Sequence, residues 1–120
     1  MRDLQAVFDF LRPIFAKHER ACVLLADEAG RYALNSQEVR AKDGYVTFFG
    51  GVEIKKAYVS AHLFPVYVYP DLLDGISEAL RKRMQGKSCF NFTSVDPLLI
   101  EELAALVDAG AKRFKADGKL

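Results

Sequence analysis

The sequence predicts an α+β domain: a helix at each end of the chain and an antiparallel sheet between them. Three observations carry this. Leu4, Val7, Phe8, Leu11, Ile14 and Phe15 recur at helical spacing near the start. Leu99, Leu103, Leu106, Val107, Gly110 and Phe114 form a cleaner stripe near the end. Between them, alternating β-branched and aromatic runs are punctuated by glycine turns, which predicts about five to six strands. The strands run in succession, which argues against parallel β-α-β units. A length of 120 residues suits a single domain over 1–120 with one core.

Asp3 is placed to cap the first helix, and Pro13 is expected to kink or restart it because it removes a backbone donor. Residues 21–26 read as a short apolar strand and 27–30 as a turn. Residues 31–34 read as the return strand, with another at 37–41. Lys42-Asp43-Gly44 signals a hairpin, with Asp-Gly suiting a type I′ turn. Residues 45–49 and 52–54 form one strand, in which Gly50-Gly51 predicts a bulge or a close backbone approach. Lys55-Lys56 marks the next turn.

Residues 58–64 alternate. Val59, Ala61 and Leu63 take one face; Tyr58, Ser60, His62 and Phe64 take the other. Pro65 ends or bends this strand, and 66–68 read as its continuation. Residues 70–75 read as a turn or one helical turn. Ser77 is placed to cap a short helix running to about Gln85, with Gly86 as its left-handed stop. Cys89 to Phe92 is a last short strand, with Cys89 and Asn91 on one side and Phe90 and Phe92 in the core. Asp96-Pro97 opens the final helix. The Lys-rich tail 112–120 is expected to fray into solvent. Both terminal helices are expected on the same sheet face.

Composition narrows the function. Net charge is +1, so no global field favours nucleic acid or an acidic membrane. No apolar run approaches the ~20 residues a membrane span needs. The acid-containing start MRDLQAVFDFLRP is unlike a leader, which makes the cytoplasm the expected location. No cofactor or metal motif is present. Cys22 and Cys89 lack Cys or His neighbours at metal-ligand spacing and read as free thiols.

Gly86-Lys87-Ser88 has the ending of a phosphate loop, but Arg81 stands where the first glycine belongs. A helix precedes and a strand follows, the reverse of what a phosphate cradle requires. Arg81, Lys82, Arg83 and Lys87 form a basic cluster, which reads as a helix C-terminus or as a contact for an anion or acidic peptide, joined by Lys55 and Lys56 if the fold brings them near. Cys89 with His62 are the residue types of a nucleophile and its base, but no third group orients the histidine.

The polar face of 58–64 is the strongest binding candidate, because Tyr and His combine apolar area with hydrogen bonding. The competing reading packs this face against the Ser77–Gln85 helix. The candidate ligand-binding residues are therefore Tyr58, His62, Tyr67, Lys87, Cys89 and Asn91, with no catalytic or metal-ligating set.

Three segments together, VSAHLFPVYVYPDL, LRKRMQGKSCFNF and DPLLIEELAALVDAG, resemble the YdhG-like bacterial domains of unknown function. The resemblance spans residues 45–115 well and the first 40 loosely. It implies a frataxin-related α+β fold, and some members are linked to iron delivery. Iron would favour clustered oxygen ligands, whereas the first helix offers only Asp3 and Asp9, mixed with Arg2 and Arg12. The expectation is a binding or scaffolding module for a small anionic ligand or peptide. The alternatives are a cysteine-dependent enzyme centred on Cys89, or an iron carrier.

Overall fold

The computed structural model describes residues 3–120. In chain order the elements are α1 (Leu4–Ala16), β1 (Val23–Glu28), β2 (Arg31–Val39), β3 (Val46–Ile54), β4 (Val59–Leu63), α2 (Pro65–Val68), α3 (Glu78–Arg81), β5 (Met84–Gln85), β6 (Cys89–Phe92) and α4 (Pro97–Ala116). Single 3₁₀ turns lie at Glu19–Ala21 and Pro70–Leu73. The strands form one six-stranded sheet in the order β1-β2-β3-β4-β6-β5, with every neighbouring pair antiparallel. This is the α+β architecture that the sequence pattern implies.

Asp3 caps α1 by accepting from the Ala6 amide at 3.0 Å. The helix runs through Pro13 without a break, correcting the expected restart. Pro13 and Asp9 are both exposed, so the bond that the proline cannot make falls on the solvent side of the helix. Val7, Phe8, Leu11 and Phe15 are buried against the sheet. α4 is capped by Asp96, starts at Pro97, and buries Leu99, Leu103, Leu106, Val107, Gly110 and Phe114, the predicted stripe. Lys17 and His18 after α1 both reach Asp108 of α4 at 2.8 Å, tying the two helices side by side. Gly110 lets α4 approach Pro65 closely: a Cβ there would meet the proline ring at 2.9 Å.

Register explains the glycine pair. β2 advances one residue, Leu34 to Asn35, while β3 advances two, Gly50 to Phe48. Phe49 is thus the extra residue of a β-bulge, and the alternation flips there. Phe48 faces away from the helices, while Phe49 is buried among His18 and Phe114. Gly50 lies under Phe15, where a Cβ would come within 2.7 Å of the ring.

Several expectations change. The strands drawn at 31–34 and 37–41 are one strand, β2. The loop at Lys42-Asp43-Gly44 is longer than a type I′ turn. Only Gly44 has positive φ, while Asp43 accepts from the Tyr45 amide and pairs with Arg40. Residues 66–68 are helical, because Pro65 at the first position presets φ for a helix. The Ser77 helix stops at Arg81, and Met84–Gln85 becomes an edge strand instead. Gly86 does have positive φ (74°), but it turns the β5–β6 hairpin and does not cap a helix. The tail does not fray: the Gln37 amide donates to the Lys119 carbonyl at 2.7 Å, and Lys119 pairs with Glu38 and Asp117. Phe90 and Phe92 are buried as expected, each contributing about 1.5–3 kcal/mol of apolar burial.

Candidate functional site

The helices pack on one sheet face and leave much of the other uncovered. Cross-strand register places side chains there in two rows. One row is Arg31, Glu53, Ser60 and Asn91; the next is Ala33, Gly51, His62, Cys89 and Gln85. Ala33 and Gly51 put almost no bulk in the middle of the second row, so the face dips into a cleft of about 350 Å³ lined by both rows with Phe48, Lys55 and Tyr58. The helix that the competing reading placed over this face packs against α4 on the other side, through Ser77 and Glu102, and its C-terminal part has become β5, which supplies Gln85 to the cleft wall.

Each side chain has a defined setting. His62 is half-buried between the rings of Phe48 and Phe64, at centroid distances of 5.0 and 6.4 Å. Burial pushes its pKa below the ordinary value, so the ring is neutral at pH 7 and offers one donor and one acceptor. Asn91 donates from Nδ2 to Gln85 Oε1 at 2.5 Å, which holds the amide pair across the β5–β6 hairpin. Lys55 donates to Glu53 at 2.9 Å, and that contact raises the lysine pKa and keeps it charged. Arg31 pairs only loosely with Glu28, at 3.8 Å, and among the described residues its side chain has no other partner. Two cations and one carboxylate therefore border a cleft whose remaining lining mixes neutral hydrogen-bonding groups with apolar side chains.

Of the six residues predicted from the sequence, Tyr58, His62, Cys89 and Asn91 line this cleft together. Tyr67 and Lys87 do not: they line a separate groove beyond Phe64, whose ring stacks on Tyr67 at 5.4 Å. The sequence reading missed Arg31 and Gln85, and it offered Lys55 only as a partner of the basic cluster at 81–87, whereas Lys55 lines the cleft and Arg81 and Lys87 line the other groove. Arg31 could have been found from the alternation of β2, but only once its register with β3 was known. Gln85 could not, because its segment read as helix.

His62 and Cys89 are direct cross-strand partners, which the sequence could not establish. Among the described residues no hydrogen bond joins them, and the nearest cleft carboxylate, Glu53, is engaged by Lys55. Nucleophile and base are adjacent, then, but no orienting third group is in place. Cys22 is buried on the helix side, and desolvation pushes its thiol up to about 11. Among the described residues no three His, Cys, Asp or Glu side chains converge as a metal-binding group. Nor is any described helix long and apolar enough to cross a membrane.

Fold and cleft together define the class: an α+β domain with an antiparallel sheet, helix-covered on one face and hollowed on the other. No family model, curated protein or solved structure matches this chain.

Proposed function

We propose that this chain is a binding module whose open sheet face takes a small anionic ligand. The observation that carries the reading is the convergence of Arg31 and Lys55 with Ser60, His62, Gln85 and Asn91 around one uncovered cleft. A cleft of about 350 Å³ lies at the small end of ligand-site sizes. An anion would draw charge-assisted hydrogen bonds from Arg31 and Lys55, while the neutral amides and hydroxyls would set its orientation. The quoted motifs support kinship with the YdhG-like bacterial domains and hence a cytoplasmic setting, with a frataxin-like fold.

NMR titration with citrate and with inorganic phosphate tests this. Saturable shifts are expected at Ser60, His62 and Asn91, and Arg31→Glu should abolish them. Shifts that survive Arg31→Glu, or no saturable shift with either anion, overturn the reading.

A second reading rests on the His62–Cys89 adjacency: cysteine-dependent chemistry in the same cleft. It requires the Cys89 alkylation rate to follow the His62 titration and to lose that pH dependence in His62→Gln. The iron-carrier reading has no converging donor group among the described residues to support it.

A further inference from the structure

A second concavity, of about 580 Å³, lies outside the cleft, between α2, the Pro70–Leu73 turn and the β5–β6 hairpin. Its walls are largely apolar, with Val66, Tyr67, Leu73 and Met84 among them, and Arg81 and Lys87 line it as well. Tyr67 is 52% exposed, a large ring left in water at the groove's edge.

The two cations are held by neutral groups. Arg81 donates from Nη2 to the Leu73 carbonyl at 2.7 Å, across the groove. Lys87 Nζ lies 5.9 Å from the centre of the Tyr67 ring. Among the described residues neither forms an ion pair with a carboxylate, and neither do Lys82 and Arg83 between them. Elsewhere Arg12, Lys17, Arg40, Lys55, Arg113 and Lys119 have acidic partners within 4.0 Å, while Arg20, Lys42, Lys56, Lys112 and Lys115 have none among the described residues and line neither the cleft nor this groove. Residues 81–87 therefore carry positive charge that the chain does not neutralise, and two of those charges are steered onto an apolar groove by a carbonyl and a π face.

We propose that this groove is a second binding site, for a small amphiphile with one carboxylate on an apolar body, such as a medium-chain fatty acid. The apolar body lies along Val66, Leu73 and Met84. The carboxylate lies between Lys87 and the free donors of Arg81. The volume is that of a small-molecule site. A peptide added in extended form is disfavoured, because β5, the sheet edge beside the groove, is only two residues long and gives an incoming strand little to pair with.

The test is NMR titration of the labelled full chain with octanoate, alongside octanol and acetate. Octanoate is expected to shift Tyr67, Met84 and Gly86 saturably, with a Kd at or below about 1 mM. Octanol, lacking the charge, should bind about tenfold more weakly, and Lys87→Gln should bring octanoate down to the same level. Acetate should not bind. Lys87 is exposed and forms no ion pair among the described residues, so this variant keeps the fold; Arg81→Gln is the independent second variant. Octanol binding as well as octanoate overturns the proposal, as does octanoate binding that is indifferent to both variants. A hexapeptide ending in a free-carboxylate leucine that outcompetes octanoate at Tyr67 overturns it in favour of a peptide-terminus site. The readout is separate from the cleft: Ser60 and His62 should not move with octanoate, so failure here leaves the citrate and phosphate experiment standing.

Discussion

Gly51 is the most informative single position for testing this structure. A Cβ built there would sit 2.2 Å from the Tyr32 carbonyl oxygen and 2.8 Å from Ala33 Cα, both backbone atoms of β2. Ordinary non-bonded contacts begin well above 3 Å, so Gly51→Ala must push β2 from β3 by about 1 Å. Overpacking of this kind costs about 1–3 kcal/mol. Two weakened ladder hydrogen bonds add about 1 kcal/mol each. The sum, about 3–5 kcal/mol, is a large part of the ~5–15 kcal/mol that stabilises a typical domain. In thermal terms it is a fall of roughly 10–20 °C in Tm.

Two other glycines are internal controls. Gly75 has nothing within 4 Å of a built Cβ and no positive φ, so Gly75→Ala should stay within about 0.5 kcal/mol of wild type. Gly86 also has open space but φ +74°, so Gly86→Ala should cost about 1–2 kcal/mol from backbone strain alone. Gly86→Asn should cost less, since Asn tolerates the left-handed region. Urea unfolding followed by circular dichroism at pH 7 measures all four. Near-wild-type stability of Gly51→Ala would refute the close β2–β3 approach, and a Gly75 penalty as large as the Gly51 one would refute the steric reasoning.

Further outcomes follow from individual side chains. His62 has a depressed pKa, so below pH ~6.5 the unfolded chain binds a proton that the folded chain resists. Stability should therefore fall as pH drops below that point and level off beneath the folded pKa; His62→Gln should flatten this segment of the urea-midpoint profile, and an unchanged slope would contradict it. Cys22 is buried with its thiol raised to about 11, whereas Cys89 is partly exposed in the cleft. A disulfide reagent at pH 8 should modify Cys89 alone in the folded protein and both thiols in urea; mass spectrometry showing Cys22 modified first would overturn the assignment. Ser77 accepts from the Leu80 amide at 3.1 Å and donates to Glu102 at 2.6 Å, linking α3 to α4. Ser77→Ala should cost about 1–2 kcal/mol in urea unfolding, and no measurable loss would count against this link.

Local chemistry alone made much of the fold legible. The caps at Asp3, Ser77 and Asp96, the burial stripes of α1 and α4, and the alternation of β4 and β6 all follow from neighbours within a few residues, so sequence spacing reveals them. A bulge or close approach at the Gly50-Gly51 pair was legible for the same reason, although the bulged residue is Phe49 and the glycines themselves make the close approaches. The failures have a common cause. Residues 82–85 carry a helical pattern, yet Met84–Gln85 pair with Cys89–Phe90, and the β6 backbone overrides local propensity. The tail after α4 looks solvated, yet Gln37 and Glu38 of β2 hold it.

The candidate site divides the same way. Sequence by itself determined that Tyr58, Ser60 and His62 share one side of a strand, and that Cys89 and Asn91 share one side of another, because side chains alternate along any strand. Only the tertiary structure decided that these two sides are the same surface, that Arg31 and Lys55 join them, and that Tyr67 and Lys87 belong to a different groove. Those facts depend on which strands are neighbours and in what register. Pairing between distant segments is set by the packing of the whole core, and no short stretch of sequence encodes it.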